Sequence, residues 1–204
     1  MTDIGLRSTV EQADLIRRGE ISSRELTTHF IERIERLDDE INAVVTRDFE
    51  TALAESDAAD ASQQKGQSLG VLHGVPVTVK DALQTKNLKS TGGATELREN
   101  IPSQDAAAVA SIRREGAIVM GKTNLPRWSG DIQAYNDIFG TTNNPWDISR
   151  GPGGSSGGAA AAVAMGFTSF EIGTDIGGSI RFPAAFNGVW GHKPSFGVIP
   201  TTGY

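Results

Sequence analysis

Residues 151–182 read GPGGSSGGAAAAVAMGFTSFEIGTDIGGSIRF, and this stretch is the basis for predicting both the fold and the kind of site. It contains two serines set among glycines, Ser155 and Ser179, joined by a run of small residues that is typical of a closely packed helix. Glycine lets the backbone adopt dihedral angles that are closed to other residues. Exposed N–H groups beside a serine are what a nucleophile with an oxyanion-binding site requires.

Two helix starts are marked by capping boxes near the beginning of the chain. Ser8 and Glu11 form one, ahead of a helix that closes on Gly19, and Ser22 and Glu25 form the other. Apolar residues spaced to line one face of the second helix follow it: Leu26, Phe30, Ile31, Ile34 and Leu37. The remaining patterns predict helices over residues 49–61, 105–115 and 158–166, strands over 71–81, 117–123 and 168–174, and a polar loop over 63–68.

Strands that alternate with helices predict an α/β fold with a layered sheet. The 24 glycines cluster after position 140, whereas the first 65 residues are charged and poor in glycine. We therefore expect one domain over residues 1–204, with an exposed helical part over 1–65 and a buried catalytic core over 66–204.

Composition excludes several classes of function. A net charge of −6 with no basic run does not predict a nucleic-acid partner. No apolar run is long enough to cross a membrane, and the N-terminus lacks the charged start and apolar core of a signal peptide, so we expect a cytoplasmic protein. The absence of cysteine excludes disulfides and thiolate catalysis, and three scattered histidines do not predict a metal site.

Lys80 is the candidate base. It follows the apolar, β-branched run from Val75 to Val79. A lysine at the inner end of a buried strand is desolvated, which lowers its pKa and frees the amine to accept a proton. The alternative is a lysine that extends its ammonium to the surface and pairs with Asp81.

Ser179 is the candidate nucleophile. Gly177 and Gly178 precede it and allow successive N–H groups to point into one concavity, where a carbonyl oxygen could gain negative charge. The alternative is a glycine turn with a hydrogen-bonded serine. Because Ser155 lies so close in sequence, the pair indicates more than one hydroxyl at a single catalytic centre.

Three short motifs suggest other functions. Residues 116–123 match the phosphate-loop pattern G-x-x-x-x-G-K-[ST], but a helix is predicted before Gly116 and a strand inside the motif, so Lys122 is expected at a strand end rather than on a nucleotide. Residues 153–157 match the G-x-S-x-G elbow of α/β-hydrolases, for which His192 is the sole later histidine. Residues 62–65 match S-x-x-K, but they lie in the predicted polar loop, which favours coincidence.

The sequence resembles the amidase signature family. Residues 173–184, GTDIGGSIRFPA, match the hallmark G-T-D-x-G-G-S-[IV]-R-x-P-A, which follows the glycine- and serine-rich segment. Further resemblance lies in HGVPVTVKD over 73–81, GKTN over 121–124, GTTNNPW over 140–146 and HKPS over 192–195. The likeness runs from about Leu6 to Tyr204.

This resemblance implies a fold and a set of catalytic roles. The fold is a mixed β-sheet covered by helices on both faces, of which this chain holds the N-terminal half. Ser179 matches the acylated nucleophile of the family. Ser155 matches the middle member of the relay, whose preceding peptide bond is cis, and Lys80 matches the base.

Around the nucleophile, the backbone N–H groups of Ile176, Gly177, Gly178 and Ser179 are expected to hold the oxyanion. Asp175 and Arg181 flank the nucleophile, and we expect them to pair and brace the glycine loop. Ser156 is expected either to hydrogen-bond behind the site or to be an ordinary turn serine.

The implied activity is hydrolysis of a small carboxylic amide through an acyl-serine, without metal or organic cofactor. Within the family, the alternative is the A subunit of glutamine-dependent tRNA amidotransferases, which requires a partner chain. Residues 124–131, NLPRWSGD, look more like those of stand-alone amidases. Family members are much longer, so this chain is expected to be a truncated product or a fragment. An inactive remnant therefore stays open, as does a homo-oligomer formed through exposed apolar surface.

Overall fold

The structure is a computed structural model that describes residues 3–67 and 70–204. Six strands and six α-helices lie within these ranges. The helices are α1 Thr9–Arg17, α2 Ser23–Ile41, α3 Phe49–Gln64, α4 Ala107–Arg114, α5 Gly157–Ala164 and α6 Arg181–Asn187. The strands are β1 Val44–Arg47, β2 Pro76–Lys80, β3 Ile118–Thr123, β4 Tyr135–Asn136, β5 Gly140–Thr141 and β6 Glu171–Ile172. No helix in the described ranges is long and apolar enough to cross a membrane.

A four-stranded mixed sheet forms the centre of the fold, with strand order β1-β3-β2-β6. β2 is parallel to both of its neighbours, whereas β1 is antiparallel to β3. Every residue of β2 and β3 is buried, as in a sheet covered on both faces. Helices α2, α3 and α5 pack against these strands, which confirms the predicted α/β class. β4 and β5 form a separate two-stranded ribbon.

Both predicted capping boxes are confirmed. The Ser8 hydroxyl accepts from the backbone N–H of Glu11, and the Glu11 carboxylate accepts from that of Ser8. Ser22 and Glu25 make the same reciprocal pair at the start of α2. These contacts satisfy N–H groups that a helix leaves unpaired at its N-terminus, so the sequence locates both starts to the residue.

The N-terminal part contributes to the core, in contrast to the expectation of an exposed helical start. Phe30 and Ile34 of α2 are fully buried in the central hydrophobic cluster. β1, which the sequence patterns missed, pairs with β3 through Val44↔Thr123 and is only four residues long. The segment before residue 66 therefore supplies an edge strand of the central sheet.

Three predicted boundaries were wrong. The strand expected over 71–81 starts at Pro76, because residues 71–74 form a turn in which Gly74 has a φ of +74°. The strand expected over 168–174 is limited to Glu171–Ile172. Helix α3 continues to Gln64 through the start of the predicted loop 63–68, whose residue Ser68 lies outside the described ranges.

Asp38 joins α2 to β1. Its buried carboxylate accepts hydrogen bonds from the backbone N–H groups of Ala43 and Val44, at 2.7 and 3.0 Å, and from Arg47 at 3.1 Å. Burial raises the pKa of Asp38, because the surrounding apolar atoms disfavour its charged form. One side chain thus fixes the path of the chain into the edge strand.

Replacing Asp38 with Ala should lower the free energy of unfolding by about 2–4 kcal/mol, because two buried N–H groups lose their acceptor. Denaturant titration measures this. Asp39→Ala is the matched control, since Asp39 is the exposed neighbour, and should change the free energy of unfolding by less than about 0.5 kcal/mol. Equal losses in the two variants would contradict this role for Asp38.

Candidate active site

Lys80 ends the central strand β2 and is fully buried. Val77, Thr78 and Val79 before it are buried as well, so its amine lies at the end of a dry strand. Desolvation lowers the pKa of Lys80 to about 7, and the opposing attraction of Glu171 and Asp175 only partly offsets it. A lysine in this state is an uncharged amine in a large fraction of molecules at neutral pH.

The Lys80 amine binds hydroxyl groups. Its Nζ lies 2.6 Å from Ser155 Oγ and 2.7 Å from Thr174 Oγ1. The alternative of a surface lysine paired with Asp81 is wrong, because the Asp81 carboxylate accepts from the backbone N–H and the hydroxyl of Thr91. Two of the predicted site residues, Lys80 and Ser155, are therefore in direct contact.

Ser155 lies in the glycine-rich segment ahead of α5 and is fully buried. The Gly154–Ser155 peptide bond is cis, as the family resemblance implied. Gly154 packs directly against the backbone of Gln133, so a Cβ atom there would overlap it. Glycine is thus needed for close packing at this point of the segment.

Ser156 connects the two glycine-rich segments. Its hydroxyl donates to the Thr174 carbonyl and accepts from the Thr174 N–H, both at 3.2 Å. Its backbone N–H donates to the carbonyl of Ser179 at 3.1 Å. Ser156 therefore holds Thr174 and Ser179 in place behind the Lys80–Ser155 contact, rather than acting as an isolated turn serine.

Ser179 is half-buried and lies just before α6. Over the described ranges its hydroxyl makes no hydrogen bond, including none to Ser155. The first link of the expected relay, between Lys80 and Ser155, is in place. The second link, to Ser179, is absent as a direct hydrogen bond in this conformation.

Asp175 braces the loop that carries Ser179. Its two carboxylate oxygens accept from the Arg181 guanidinium at 3.0 Å each, so the predicted pairing of Asp175 with Arg181 is confirmed. The guanidinium holds the pKa of Asp175 well below its usual range. The same carboxylate accepts from the backbone N–H groups of Gly178 and Ile180, at 2.7 and 3.1 Å.

This brace changes the expected set of oxyanion donors. The N–H of Gly178, one of the four predicted donors, is directed to Asp175. Those of Ile176, Gly177 and Ser179 make no hydrogen bond within the described part of the chain. Three N–H groups of the loop around Ser179 are therefore unpaired among the described residues, as an oxyanion-binding site would require.

The phosphate-loop, elbow and S-x-x-K motifs lie in surroundings that differ from those of the sites they resemble. Helix α4 precedes Gly116 and β3 occupies the phosphate-loop positions, where Lys122 is buried and donates to the Leu83 carbonyl, to Thr85 and to Ser90. Lys122 is thus at a strand end, as predicted. His192 is exposed beyond α6, so the elbow alternative gains no base from it. Ser62 lies within α3 and donates to the Ala58 carbonyl.

Two residues at the site were not singled out from sequence. Thr174, within the quoted GTD, is the second partner of Lys80. Glu171 on β6 accepts a hydrogen bond from Thr123, and burial raises its pKa to about 8. Only the position of Thr174 within the hallmark motif could have indicated it, whereas nothing in the sequence placed Glu171 near Lys80.

A groove of about 550 Å³ lies beside the glycine-rich segment. The residues that line it include none of the predicted catalytic ones: Gln133, Asn144, Trp146, Asp147, Arg150, Gly151 and Phe186. Among the described residues, no group of three or more histidine, aspartate or glutamate side chains is arranged to hold a metal ion.

The comparison with known proteins identifies the family. A family model described as Amidase matches residues 25–204. The chain therefore belongs to the amidase signature family. Among solved structures, the native peptide amidase of Stenotrophomonas maltophilia is 36% identical with a TM-score of 0.92, over 96% of this chain and 42% of that one. A bacterial aryl acylamidase is 35% identical with a TM-score of 0.91, over 96% and 41% of the two chains.

The curated relatives are named as amidotransferase subunits rather than as amidases. The A subunit of glutamyl-tRNA(Gln) amidotransferase from Moorella thermoacetica is 45% identical over 193 residues, which are 95% of this chain and 40% of that protein. The protein of the same name from Moraxella catarrhalis is 43% identical over 203 residues, 100% and 41% of the two chains. The chain thus spans about two fifths of the length of the curated relatives it matches.

The state of Lys80 can be measured through stability. Unfolded Lys80 keeps its proton up to an ordinary pKa of 10.5, whereas the folded amine loses it above about 7. Between these values the unfolded state binds one more proton, so the free energy of unfolding gains about 1.4 kcal/mol per pH unit from this residue. Lys80→Met should lack this gain, and the wild type should become more stable relative to it by about 2–3 kcal/mol from pH 7 to pH 9.

Denaturant titrations at several pH values test this, with Lys86→Met as the matched control because Lys86 is exposed. Parallel stability profiles for the wild type and Lys80→Met would show that Lys80 stays protonated in the folded protein, and would remove the candidate base.

Proposed function

We propose that the protein hydrolyses a carboxylic amide through an acyl intermediate on Ser179, with Lys80 as the base and Ser155 as the proton carrier between them. The observation that carries this proposal is the fully buried Lys80 amine, with a pKa of about 7, placed 2.6 Å from the Ser155 hydroxyl. A serine hydroxyl is almost un-ionised at neutral pH and needs such a base to become a nucleophile.

Proton transfer follows from the hydrogen-bonding capacity of the groups. A neutral amine has one lone pair and two N–H groups. The lone pair accepts the Ser155 proton while an N–H donates to Thr174 Oγ1, which keeps the amine oriented. The Ser155 oxygen then accepts the proton of Ser179 once the half-buried Ser179 side chain turns towards it. A hydroxyl suits this task because it donates and accepts at once.

Attack of Ser179 Oγ on the amide carbon forms a C–O bond and moves an electron pair onto the carbonyl oxygen. The N–H groups of Ile176, Gly177 and Ser179 are the donors left to bind that negative charge, since Gly178 is engaged by Asp175. The Asp175–Arg181 pair keeps the loop in one conformation, so these donors need little rearrangement when charge develops.

Collapse of the intermediate breaks the C–N bond. The leaving nitrogen takes the proton from Ser155, which regains one from the Lys80 ammonium, and ammonia or an amine departs. Water then attacks the acyl-serine with Lys80 and Ser155 acting again as base and carrier. The carboxylate is released and Ser179 recovers its proton. No step in this sequence needs a metal or an organic cofactor.

Labelling by a fluorophosphonate probe, read by mass spectrometry of the modified peptide, tests the nucleophile and the base. We expect a single modification at Ser179 in the wild type, complete loss in Ser179→Ala, and a fall in rate of at least about a thousandfold in Lys80→Met. Ser103→Ala and Lys86→Met are matched controls, because both residues are exposed, and should label at the wild-type rate.

Two outcomes would contradict the mechanism. Modification at a different serine would remove Ser179 from its role, and a wild-type rate in Lys80→Met would remove the base. A folded wild type that is not labelled at any pH would favour an inactive remnant of the family.

A component of a tRNA-dependent amidotransferase is the second candidate. It is favoured by the curated relatives named as the A subunit of glutamyl-tRNA(Gln) amidotransferase, at 45% and 43% identity. In that case the ammonia released from glutamine would be passed to a partner chain rather than lost to solvent.

Ammonia release separates the two candidates. A stand-alone amidase should release ammonia from simple carboxylic amides with this chain alone, and Ser179→Ala should abolish the release. A component of an amidotransferase should act on glutamine and only after its partner chains are added, while simple amides stay intact. Release from simple amides at equal rates with and without partners would exclude the second candidate.

A further inference from the structure

Asn187 is a buried side chain that joins the two segments carrying the serines of the proposed mechanism. It is the last residue of α6, the helix that begins just after Ser179, and it is fully buried. Its amide nitrogen donates to the carbonyls of Pro152 and Pro183, at 2.7 Å each. Pro152 lies three residues before Ser155. One carboxamide therefore connects the approach to the first serine with the helix that follows the second.

The end of α6 is also held by side chains of the segment that leads to the first serine. Asn144 donates to the carbonyl of Phe186 at 3.0 Å, and the indole N–H of Trp146 donates to the carbonyl of Asn187 at 2.9 Å. Carbonyls in the last turn of a helix have no partners within the helix. These two side chains supply the missing donors, so the segment and the helix are joined in both directions.

Between these contacts and the serines, the two segments pack closely. A Cβ atom on Gly153 would lie only 3.0 Å from the Cα atom of Pro183. The N–H of Ser156 donates to the carbonyl of Ser179 at 3.1 Å. The Ser179 hydroxyl makes no hydrogen bond to Ser155 in this conformation. Rotation of the Ser179 side chain can complete the relay only if the two backbones are held at a fixed separation.

We propose that Asn187 is a positioning residue that sets the separation of Ser155 and Ser179. This proposal rests on the proposed function, in which the Ser155 oxygen accepts the proton of Ser179. Without the carboxamide, two buried carbonyls lose a donor and the segment before Ser155 can shift relative to α6. A displacement of about 1 Å between reacting groups can lower a rate by about a hundredfold. Over the described residues the Asn187 side chain makes no hydrogen bond to Lys80, so the base is left unchanged.

The rate of Ser179 labelling by a fluorophosphonate, measured over a range of probe concentrations, tests this role. Asn187→Ala should lower the maximal rate at saturating probe by about 10–100-fold, because the serines are no longer held at the right distance. The probe concentration that gives half of the maximal rate should change by less than about twofold, since probe binding is not affected. The pH at which the rate is half-maximal should stay at the wild-type value, because Lys80 keeps its surroundings.

Gln12→Ala is the matched control. Gln12 is also a fully buried carboxamide, and its amide nitrogen likewise donates to two backbone carbonyls, those of Ile4 and Arg7. It lies on α1, outside the segments that carry the serines. At a temperature at which both variants are folded, Gln12→Ala should label at the wild-type maximal rate. An equal fall in both variants would show a general effect of destabilisation and overturn the positioning role.

Amide hydrogen exchange measured by NMR provides a readout that does not require activity. The Ser156 amide reports the backbone hydrogen bond between the two segments. Its exchange, relative to that of the Val79 amide on the buried strand β2, should become at least severalfold faster in Asn187→Ala and stay unchanged in Gln12→Ala. Trp146→Phe removes only the indole donor of a side chain that is 75% exposed, and should lower the maximal labelling rate severalfold.

The outcomes distinguish this proposal from the proposed function. A folded Asn187→Ala with the wild-type maximal rate overturns the role of Asn187 while the mechanism stands. A shifted pH midpoint also overturns it, because Asn187 would then act through Lys80. If Asn187→Ala fails to fold, an unchanged maximal rate in Trp146→Phe overturns it instead. Failure of the wild type to label at any pH contradicts the proposed function, and unchanged exchange of the Ser156 amide in Asn187→Ala would then overturn the positioning role as well.

Discussion

The arrangement of this protein depends on a lysine side chain removed from water without an anion to pair with it. Lys80 lies at the end of the interior strand β2, and its hydrogen-bond partners are the hydroxyls of Ser155 and Thr174. A carboxylate at hydrogen-bond distance would keep the amine protonated, whereas hydroxyls tolerate either state. Sheet order, the packing of α5 and the two glycine-rich segments all serve to bring these hydroxyls to a dry strand end.

Local signals were sufficient for part of the fold and of the site. Each capping box lies within four residues of sequence and could be located from the letters alone. Lys80 was a candidate because it ends an apolar, β-branched run, but its role and that of Ser155 were implied by the resemblance to the amidase signature family. β1 was not predictable from the sequence. Its four residues form a strand because they pair with the edge of β3 and because Asp38 binds the backbone where the strand begins. The positions of Thr174 and Glu171 beside Lys80 depend on strand pairing, which a single sequence does not encode in any short pattern.

The sheet carries ionisable groups on both of its faces. Lys80 and Glu171 share one face, while Lys122 projects from the other among carbonyl and hydroxyl acceptors near Asp81. Desolvation of such groups opposes folding, and the hydrophobic cluster around α2, α3 and the central strands must outweigh it. The interior of this fold is thus less stable than an all-apolar sheet of the same size would be.

The proposed catalytic groups come from segments far apart in the chain: Lys80 from β2, Ser155 from the approach to α5, and Ser179 from the approach to α6. No single supersecondary unit contains the site, and contacts with such large sequence separation form slowly. During synthesis, the ribosome must add about a hundred further residues after the lysine before the last of its partners is made. Until then the lysine is solvated and keeps its proton, because only the finished interior removes water from it. Nascent chains and partly folded intermediates therefore contain the side chains of the candidate site without the lowered pKa of Lys80, which arises only when the interior around it has formed.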